Sequence, residues 1–372
     1  MRLRHALIGA ATAATAVTVA RAAAGLPTAL GASERQLRAT ADRAAAAGSP
    51  HAADGAFHNT LPDEVVQRGV TLAVLRAMLT RGDVGHPPHP VPLAADLSPQ
   101  TPAPLALTWY GHSSVLLEVD GHRVLTDPVW GERVSPSPTV GPKRLHPVPV
   151  PLSALPTVNA VVISHDHYDH LDLPTVRALL RHQAAPFVVP LGLGDHLRGW
   201  GVPAGRIVEL DWGGTTRIGA LTLTCAEARH FSGRWLRRNA TLWSSWAVAG
   251  PRHRVFFGGD TGYTPAFAEL GRTHGPFDLT LLPIGAYSEH WPLIHMTPEE
   301  SVRAHRDLTQ GGVLAPIHWA TFNLGFHTWG EPVRRLQAAT TAAGVRIAVP
   351  RPGQRIDVSD LAATTDWWTA VE

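Results

Sequence analysis

Thiols are nearly absent from this sequence: its 372 residues include one cysteine, Cys225. A single thiol forms no intrachain disulfide and no thiolate zinc cluster, so a metal site here has to be assembled from histidine and carboxylate groups. An excess of charge of one sign is lacking too. With 32 Lys+Arg against 30 Asp+Glu the formal charge is +2, which provides no basic face for a phosphate backbone and excludes nucleic acid as the expected partner. Charged residues amount to 17% of the chain. The apolar run near the start, Ala6 to Ala20, falls short of the ~20 residues a spanning helix needs and is built from Ala and Thr rather than Leu. What is plentiful is hydrophobic residues (44%), Gly (34), Pro (32), Trp (12) and above all His (21). That mixture suits a loop-rich enzyme with a sizeable core.

Arg2, Arg4 and His5, then the Ala/Thr/Val run, then Arg21 and Ala22-Ala23-Ala24, resemble a signal peptide, and residues 1–25 are expected to export or tether the chain. The competing expectation is a cytoplasmic protein that begins with an Ala-rich helix. Residues 26–104 read as an extension with one helix, from Pro62-Asp63-Glu64 to about Arg81, whose Val66, Val70, Val74 and Met78 repeat every four residues and pack on the main domain. Pro-rich loop flanks it. From Leu105 onward β-like runs dominate: 106–110, 115–119, 124–126, 160–164, 187–189 and 207–210, with a helix at 173–182. The same grammar restarts after Gly213-Gly214, with strands at 221–225, 243–248, 254–258, 279–284, 313–317 and 345–349 and helices at 298–308 and 332–343. Two strand-rich halves closed by helices predict two packed sheets with helices outside, over residues 105–372.

The sharpest feature is His165-Asp166-His167-Tyr168-Asp169-His170, directly after the apolar run Ala160 to Ser164. Chance would place such a pattern in roughly three of a thousand chains of this composition. A strand end gives the loop a rigid start, so His165 and His167 can turn to one metal while Asp169 and His170 face a second position. Two ions need further ligands. His230, Asp260 and His318 each follow an apolar run, and Asp260, with glycine on both sides nearby, can approach two ions and bridge them.

These residues resemble the metallo-β-lactamase superfamily, and more closely its N-acyl-phosphatidylethanolamine-hydrolysing phospholipase D group. The finer likeness rests on Leu125-Thr126-Asp127-Pro128, Gly141-Pro142-Lys143-Arg144, Gly259-Asp260-Thr261-Gly262-Tyr263, Pro283-Ile284-Gly285-Ala286-Tyr287 and Ile317-His318-Trp319, within about Leu105 to Pro350, and more weakly on Gly55-Ala56-Phe57-His58-Asn59. The resemblance implies an α/β fold, an αββα sandwich with a binuclear, usually zinc, site at one sheet edge. It implies His165, His167 and His230 on one ion, Asp169, His170 and His318 on the other, and Asp260 bridging. His112 and Asp127 would then orient ligands or substrate, and Asp166 would lie behind the ligands or face solvent.

The implied chemistry is hydrolysis by a metal-bridging hydroxide, with Asp169 and Asp260 catalytic as well as ligating and His295 or His290 contacting the leaving group. The expected substrate is a small-molecule or lipid phosphodiester, cleaved in the manner of a phospholipase D, with peripheral contact to a membrane. Phe231, Trp235, Leu236 and Trp291 would supply an apolar groove, and Arg234, Arg237, Arg238 and the Lys143-Arg144 pair cations for a headgroup. A lactonase or amide hydrolase on the same scaffold, and a metal-binding sensor without turnover, stay open. A flavodiiron-type redox protein is disfavoured, since His167 stands where a carboxylate ligand for iron is expected. No candidate ligand precedes Leu105, so removal of residues 1–25 is expected to leave catalysis intact while changing where the protein is found. Intact mass and cell fractionation check this: an uncleaved, wholly cytosolic chain would retire the export reading.

Overall fold

A computed structural model describes residues 22–23, 25–61, 71–96, 101–234, 237–363 and 365–372. The chain opens with α1 (Leu26–Leu30), α2 (Glu34–Ala46), a small hairpin β1 (Ala52–Ala53) and β2 (Ala56–Phe57), and α3 (Thr71–Thr80). Then come β3 (Leu105–Gly111), β4 (Ser114–Val119), β5 (His122–Thr126), β6 (Ala160–Val162), α4 (Leu173–His182), β7 (Phe187–Pro190), α5 (Leu193–Gly199) and β8 (Ile207–Leu210). The second half has β9 (Thr215–Ile218), β10 (Leu221–Ala226), β11 (Ser245–Ala249), β12 (Arg254–Phe257), α6 (Ala266–His274) and β13 (Leu279–Pro283). It ends with α7 (Pro298–Leu308), β14 (Val313–Ile317), α8 (Glu331–Ala343), β15 (Arg346–Ile347) and β16 (Arg355–Asp357).

Two seven-stranded sheets result, ordered β16-β3-β4-β5-β6-β7-β8 and β15-β14-β13-β12-β11-β10-β9. Strands β5 to β8 pair in parallel in one sheet and β12 to β15 in the other, with antiparallel strands completing each. The reason the runs read as continuously apolar is visible in β4 to β7. Val115, Leu117, Val119, Val124, Val162 and Val188 enter the large core that they share with Leu223, Trp246, Phe256 and Leu281 of the other sheet. Their alternate neighbours Leu116, Leu125, Val161, Phe187 and Val189 enter a second core with Val176 and Leu179 of α4 and Leu193 and Leu197 of α5. Both faces of the strand are buried, so the period-2 polar alternation is lost. Cys225 sits in the inter-sheet core, fully buried, and burial pushes its thiol well up from the usual range.

The helices start where local chemistry allows. Asp172 caps α4 by accepting from Thr175 N, and Thr297 with Glu300 forms a capping box at α7, each followed by proline in the first turn. Of the predicted N-terminal helix, Thr71–Thr80 is helical, while Pro62-Asp63-Glu64, Val66 and Val70 lie outside the described residues. Helices α1 and α2, the β1–β2 hairpin, α5, β9, α6 and β16 were not anticipated. Strand β11 starts two residues later than the predicted 243, and β15 is shorter than 345–349. No helix among the described residues is long and apolar enough to cross a membrane.

Strand β16 returns the C-terminal region to the first sheet, antiparallel to β3. Arg355 reaches across to β4 and donates from Nε and Nη2 to the two Glu118 oxygens at 3.0 and 2.9 Å. Glu118 is 1% exposed and its other partner is Ala103 N at 2.6 Å. Arg355→Ala would leave that carboxylate buried with a single neutral donor, and is expected to destabilise the fold by about 2 kcal/mol. Urea unfolding measures it; an unchanged midpoint would show that the pair does not hold β16.

Candidate metal centre

Every residue of the site stands just beyond the end of a strand, at one edge of the sandwich. His112 is in the β3–β4 turn, Asp127 follows β5, the hexad follows β6, His230 follows β10, Asp260 follows β12 and His318 follows β14. Three of these residues adopt left-handed backbone: His112 (φ 53°), Asp127 (φ 33°) and His318 (φ 60°). For residues with a Cβ this costs on the order of 1–3 kcal/mol each and persists only where the surroundings enforce it. Gly259 (φ 56°), just before Asp260, lies so near β6 that a Cβ there would be 2.5 Å from Ser164 Cβ. Only glycine lets this turn carry Asp260 to its position.

Two groups of donors converge. In one, His167 Nδ1 is 2.8 Å from His165 Nε2 and 3.3 Å from His230 Nε2. In the other, Asp169 Oδ2 is 3.4 Å from His170 Nε2, 3.3 Å from His318 Nε2 and 2.9 Å from His112 Nε2. Asp260 Oδ2 lies between them, 3.2 Å from His170 Nε2, 3.0 Å from His318 Nε2, 4.0 Å from His165 Nε2 and 3.9 Å from His230 Nε2. One carboxylate oxygen thus faces both groups.

The ring nitrogens turned away from the centre explain why these face it. Asp127, fully buried, accepts from Ser164 N (2.7 Å) through Oδ1, and from Ser164 Oγ (2.5 Å) and His170 Nδ1 (2.6 Å) through Oδ2. Ser164 Oγ in turn is 2.9 Å from His165 Nδ1. His230 donates from Nδ1 to Ile294 O at 2.9 Å. With Nδ1 protonated in all three rings, the Nε2 lone pairs are left for the centre. Asn59 completes the support: its side chain donates to His230 O (2.8 Å) and accepts from His230 N (3.2 Å) and Trp243 Nε1 (3.0 Å).

The donor set suits divalent cations. His170 Nε2, His318 Nε2 and Asp260 Oδ1 are buried and have no hydrogen-bond partner, an arrangement native proteins avoid unless something else satisfies the atoms. Burial, reinforced by the neighbouring imidazoles, lowers His165 and His230 well below the usual range, which keeps them neutral and able to ligate. In the second group burial would also lower the imidazoles, but the Asp260 and Asp169 carboxylates outweigh it, and His318 rises to about 9 and His170 well above its ordinary value. Asp169 and Asp260 go the other way, held low by His170 against the opposing effect of burial. The buried Asp260 and largely buried Asp169 carboxylates demand positive charge here, which a metal ion would supply in place of protons.

The remaining residues named from sequence fall as follows. His112, expected as an orienting group, has its Nε2 inside the second donor group, and Asp127 has no direct place in either. His295 Nδ1 is buried, unpartnered and 3.9 Å from Asp260 Oδ2, and burial lowers it to about 4. His290 lies in a neighbouring cavity of about 750 Å³ with Tyr287, Phe326 and Arg335, whose wall includes His295. The donors open into a cavity of about 500 Å³ lined by Val74, Phe231, Arg238, Trp291, Ile294 and Leu324. Of the candidate headgroup cations, Arg238 reaches this cavity, its guanidinium 4.8 Å from the Phe231 ring. Arg234 and Arg144 are buried and spend their donors on backbone carbonyls, Arg237 donates to Gly55 O, and Lys143 pairs with exposed Glu132. Trp235 and Leu236 lie outside the described residues. Asn59 was missed as a site residue; its only sequence signal was the weak likeness of Gly55 to Asn59.

A family profile described as Beta-lactamase superfamily domain matches residues 122–319. An uncharacterized protein of Mycobacterium tuberculosis is 53% identical over 97% of both chains. The N-acyl-phosphatidylethanolamine-hydrolyzing phospholipase D 1 of Caenorhabditis elegans is 39% identical over 233 residues, 59% of this chain and 65% of its own length. The structure of a metallo hydrolase from Ignicoccus hospitalis superposes with a TM-score of 0.53 at 22% identity, over 68% of this chain and 97% of that one, a likeness of fold.

Two donor groups sharing one carboxylate predict two divalent ions in the loaded protein, and at most one in Asp260→Ala. Asp127→Asn is expected to keep both sites but to weaken them about 10- to 100-fold, because the rings it orients lose their fixed tautomer. Elemental analysis and chelator competition read both; a single ion in fully loaded wild-type protein would refute the shared centre.

The chain therefore belongs to the metallo-β-lactamase superfamily.

Proposed function

Starting from that membership, we propose that the chain is a phosphodiesterase of phospholipase D type, acting on N-acyl-phosphatidylethanolamine-like lipids with two zinc ions. The observation that carries the reading is the placement of Asp260 Oδ2 between the His165–His167–His230 and Asp169–His170–His318 groups, at the floor of an apolar cavity. The phospholipase D of C. elegans that matches this region supports it.

When bound, a pair of divalent ions would lower the pKa of water toward neutrality and offset charge on the phosphoryl oxygens. The rest falls to side chains. His165, His167 and His230 would hold one ion and Asp169, His170 and His318 the other, with the Asp260 carboxylate facing both groups. Phe231, Trp291, Ile294, Leu324 and Val74 bury the acyl part of the substrate and exclude bulk water around the phosphate, which strengthens every charge interaction there. Arg238 at the wall of the cavity offers a guanidinium to a phosphate oxygen. His295, with its low pKa, is neutral at pH 7, so it acts as a hydrogen-bond partner to the leaving oxygen rather than as a general acid. In the balanced reaction a water oxygen ends on phosphorus, the P–O bond on the headgroup side breaks, and the departing alcohol takes the proton.

On this reading zinc-loaded protein cleaves phosphodiesters with kcat/KM at least about tenfold above lactones or β-lactams. That ratio needs ~1.4 kcal/mol of differential transition-state stabilisation, within the reach of one charge-assisted contact. A panel of bis(p-nitrophenyl) phosphate, N-acyl phospholipids, lactones and β-lactams measures it. Rapid lactone opening with every phosphodiester intact would replace the phosphodiesterase with a lactonase on the same centre.

A further inference from the structure

The second residue of the hexad contacts neither donor group, yet it is as deeply buried as the ligands on either side. Asp166 is 1% exposed. Its Oδ1 accepts from Gly233 N at 2.7 Å, three residues beyond His230, so this one carboxylate ties the loop of His165 and His167 to the segment that brings in His230. Its Oδ2 faces His196 Nε2 at 3.4 Å. The tautomer of that ring is set from the far side: His196 Nδ1 accepts from Ala32 N at 2.9 Å, which leaves the ring hydrogen on Nε2, the nitrogen that meets Asp166 in an ionic contact without hydrogen-bond geometry.

Ala32 belongs to the N-terminal arm, and the arm is fastened at several other points. Trp200 Nε1 donates to Thr28 O at 2.7 Å, and Thr40 Oγ1 donates to Asp195 Oδ2 at 2.6 Å. Arg234, buried, donates from Nη2 to Ala29 O (2.9 Å) and from Nη1 to both Asp166 O (2.7 Å) and Leu171 O (2.8 Å), the two sides of the hexad loop. Its guanidinium is 4.0 Å from the Tyr168 ring and 5.0 Å from that of Trp200. Gly31 (φ 85°) passes so close to His196 that a Cβ there would overlap Nδ1. The close approach is written into the sequence as a glycine.

We propose that Asp166 and His196 are positioning residues that couple the docked N-terminal arm to the metal loop, so that the His165–His167–His230 group keeps its geometry only while residues 28–40 are seated. Nothing in the pair touches substrate or metal. The chain of contacts runs from Ala32 through His196 and Asp166 to Gly233, with Arg234 as a parallel brace, and ends on both loops that supply this group. The Asp169–His170–His318 group shares the hexad loop and Asp127 with the first, and has further support from His112 and from β14, which carries His318.

The inference rests on the metal-centre reading, and the test separates the two. In the full-length protein, zinc affinity is measured by competition with a chelating dye, the cobalt(II)-loaded visible spectrum is recorded, and far-UV circular dichroism monitors folding. Gly31→Ala, remote from every ligand, and His196→Ala are expected to weaken one of the two zinc equivalents about 10- to 100-fold, to alter the cobalt spectrum, and to leave the other equivalent within about twofold. Asp166→Asn, which keeps an acceptor for Gly233 N, is expected to fall between wild type and Asp166→Ala. Wild-type protein that fails to bind two ions would overturn the metal centre and the coupling together. Two-ion binding in wild type with unchanged affinities and spectrum in Gly31→Ala and Asp166→Ala would overturn the coupling alone. Should Asp166→Ala not fold, Gly31→Ala and Asp166→Asn decide in its place, and wild-type behaviour in both overturns the proposal.

Discussion

The centre of this protein depends on one buried carboxylate that is not itself a ligand. Asp127 holds Ser164 by backbone and hydroxyl and holds His170 directly, and through the Ser164 hydroxyl it reaches His165. One acid therefore orients a ring in each donor group. Its own position follows from the pairing of β5 with β6: Asp127 N donates to Val162 O at 2.9 Å, continuing the parallel ladder for one residue past the strand. Sheet register, ring tautomer and metal geometry are thus one constraint. A slip of one residue between these strands would move the carboxylate off the rings and turn both core faces inside out.

The two sheets contribute unequally. The first supplies the hexad, Asp127 and His112, all from loops stiffened by buried hydrogen bonds. The second supplies His230, Asp260 and His318, which close over them. The backbone stitches the halves together beside the centre, where Ser244 N donates to Ser164 O and His318 N to His112 O. Trp246 Nε1 donates to Ile163 O and adds a side-chain tie between the sheets. The separation of the donor groups is therefore set by the packing of the sandwich as much as by any loop.

What could be read from the sequence was local. The hexad announces itself because its ligands are adjacent and follow an apolar strand, and His230, Asp260 and His318 share that position. The two-sheet architecture was legible from apolar runs with the length of strands. The role of His112 was not, since its nitrogen reaches Asp169 only through a left-handed turn that spacing does not reveal. Arg234 reads from sequence as a headgroup cation among neighbouring arginines, but it turns inward to the carbonyls of Ala29, Asp166 and Leu171. Asn59, His196 and β16 depend likewise on approaches between segments more than a hundred residues apart, about which periodicity is silent. Helix α2 was overlooked although its capping box at Ser33 and Gln36 was there to be seen; its buried face is made of Leu37, Thr40, Ala41 and Ala44, a single large apolar residue among small ones.

The burial of Cys225 has a practical side. The only thiol in the chain is sealed between two sheets, beyond the reach of maleimides, alkylating agents and oxidants as long as the sandwich stays closed. The native protein is in effect a cysteine-free background. A cysteine placed at an exposed position such as Val140, 59% accessible, would be the only reactive one, so a spin label or a fluorophore could be attached there without first stripping the sequence. The same thiol becomes reactive on unfolding, which makes its labelling rate a direct clock for the opening of the core.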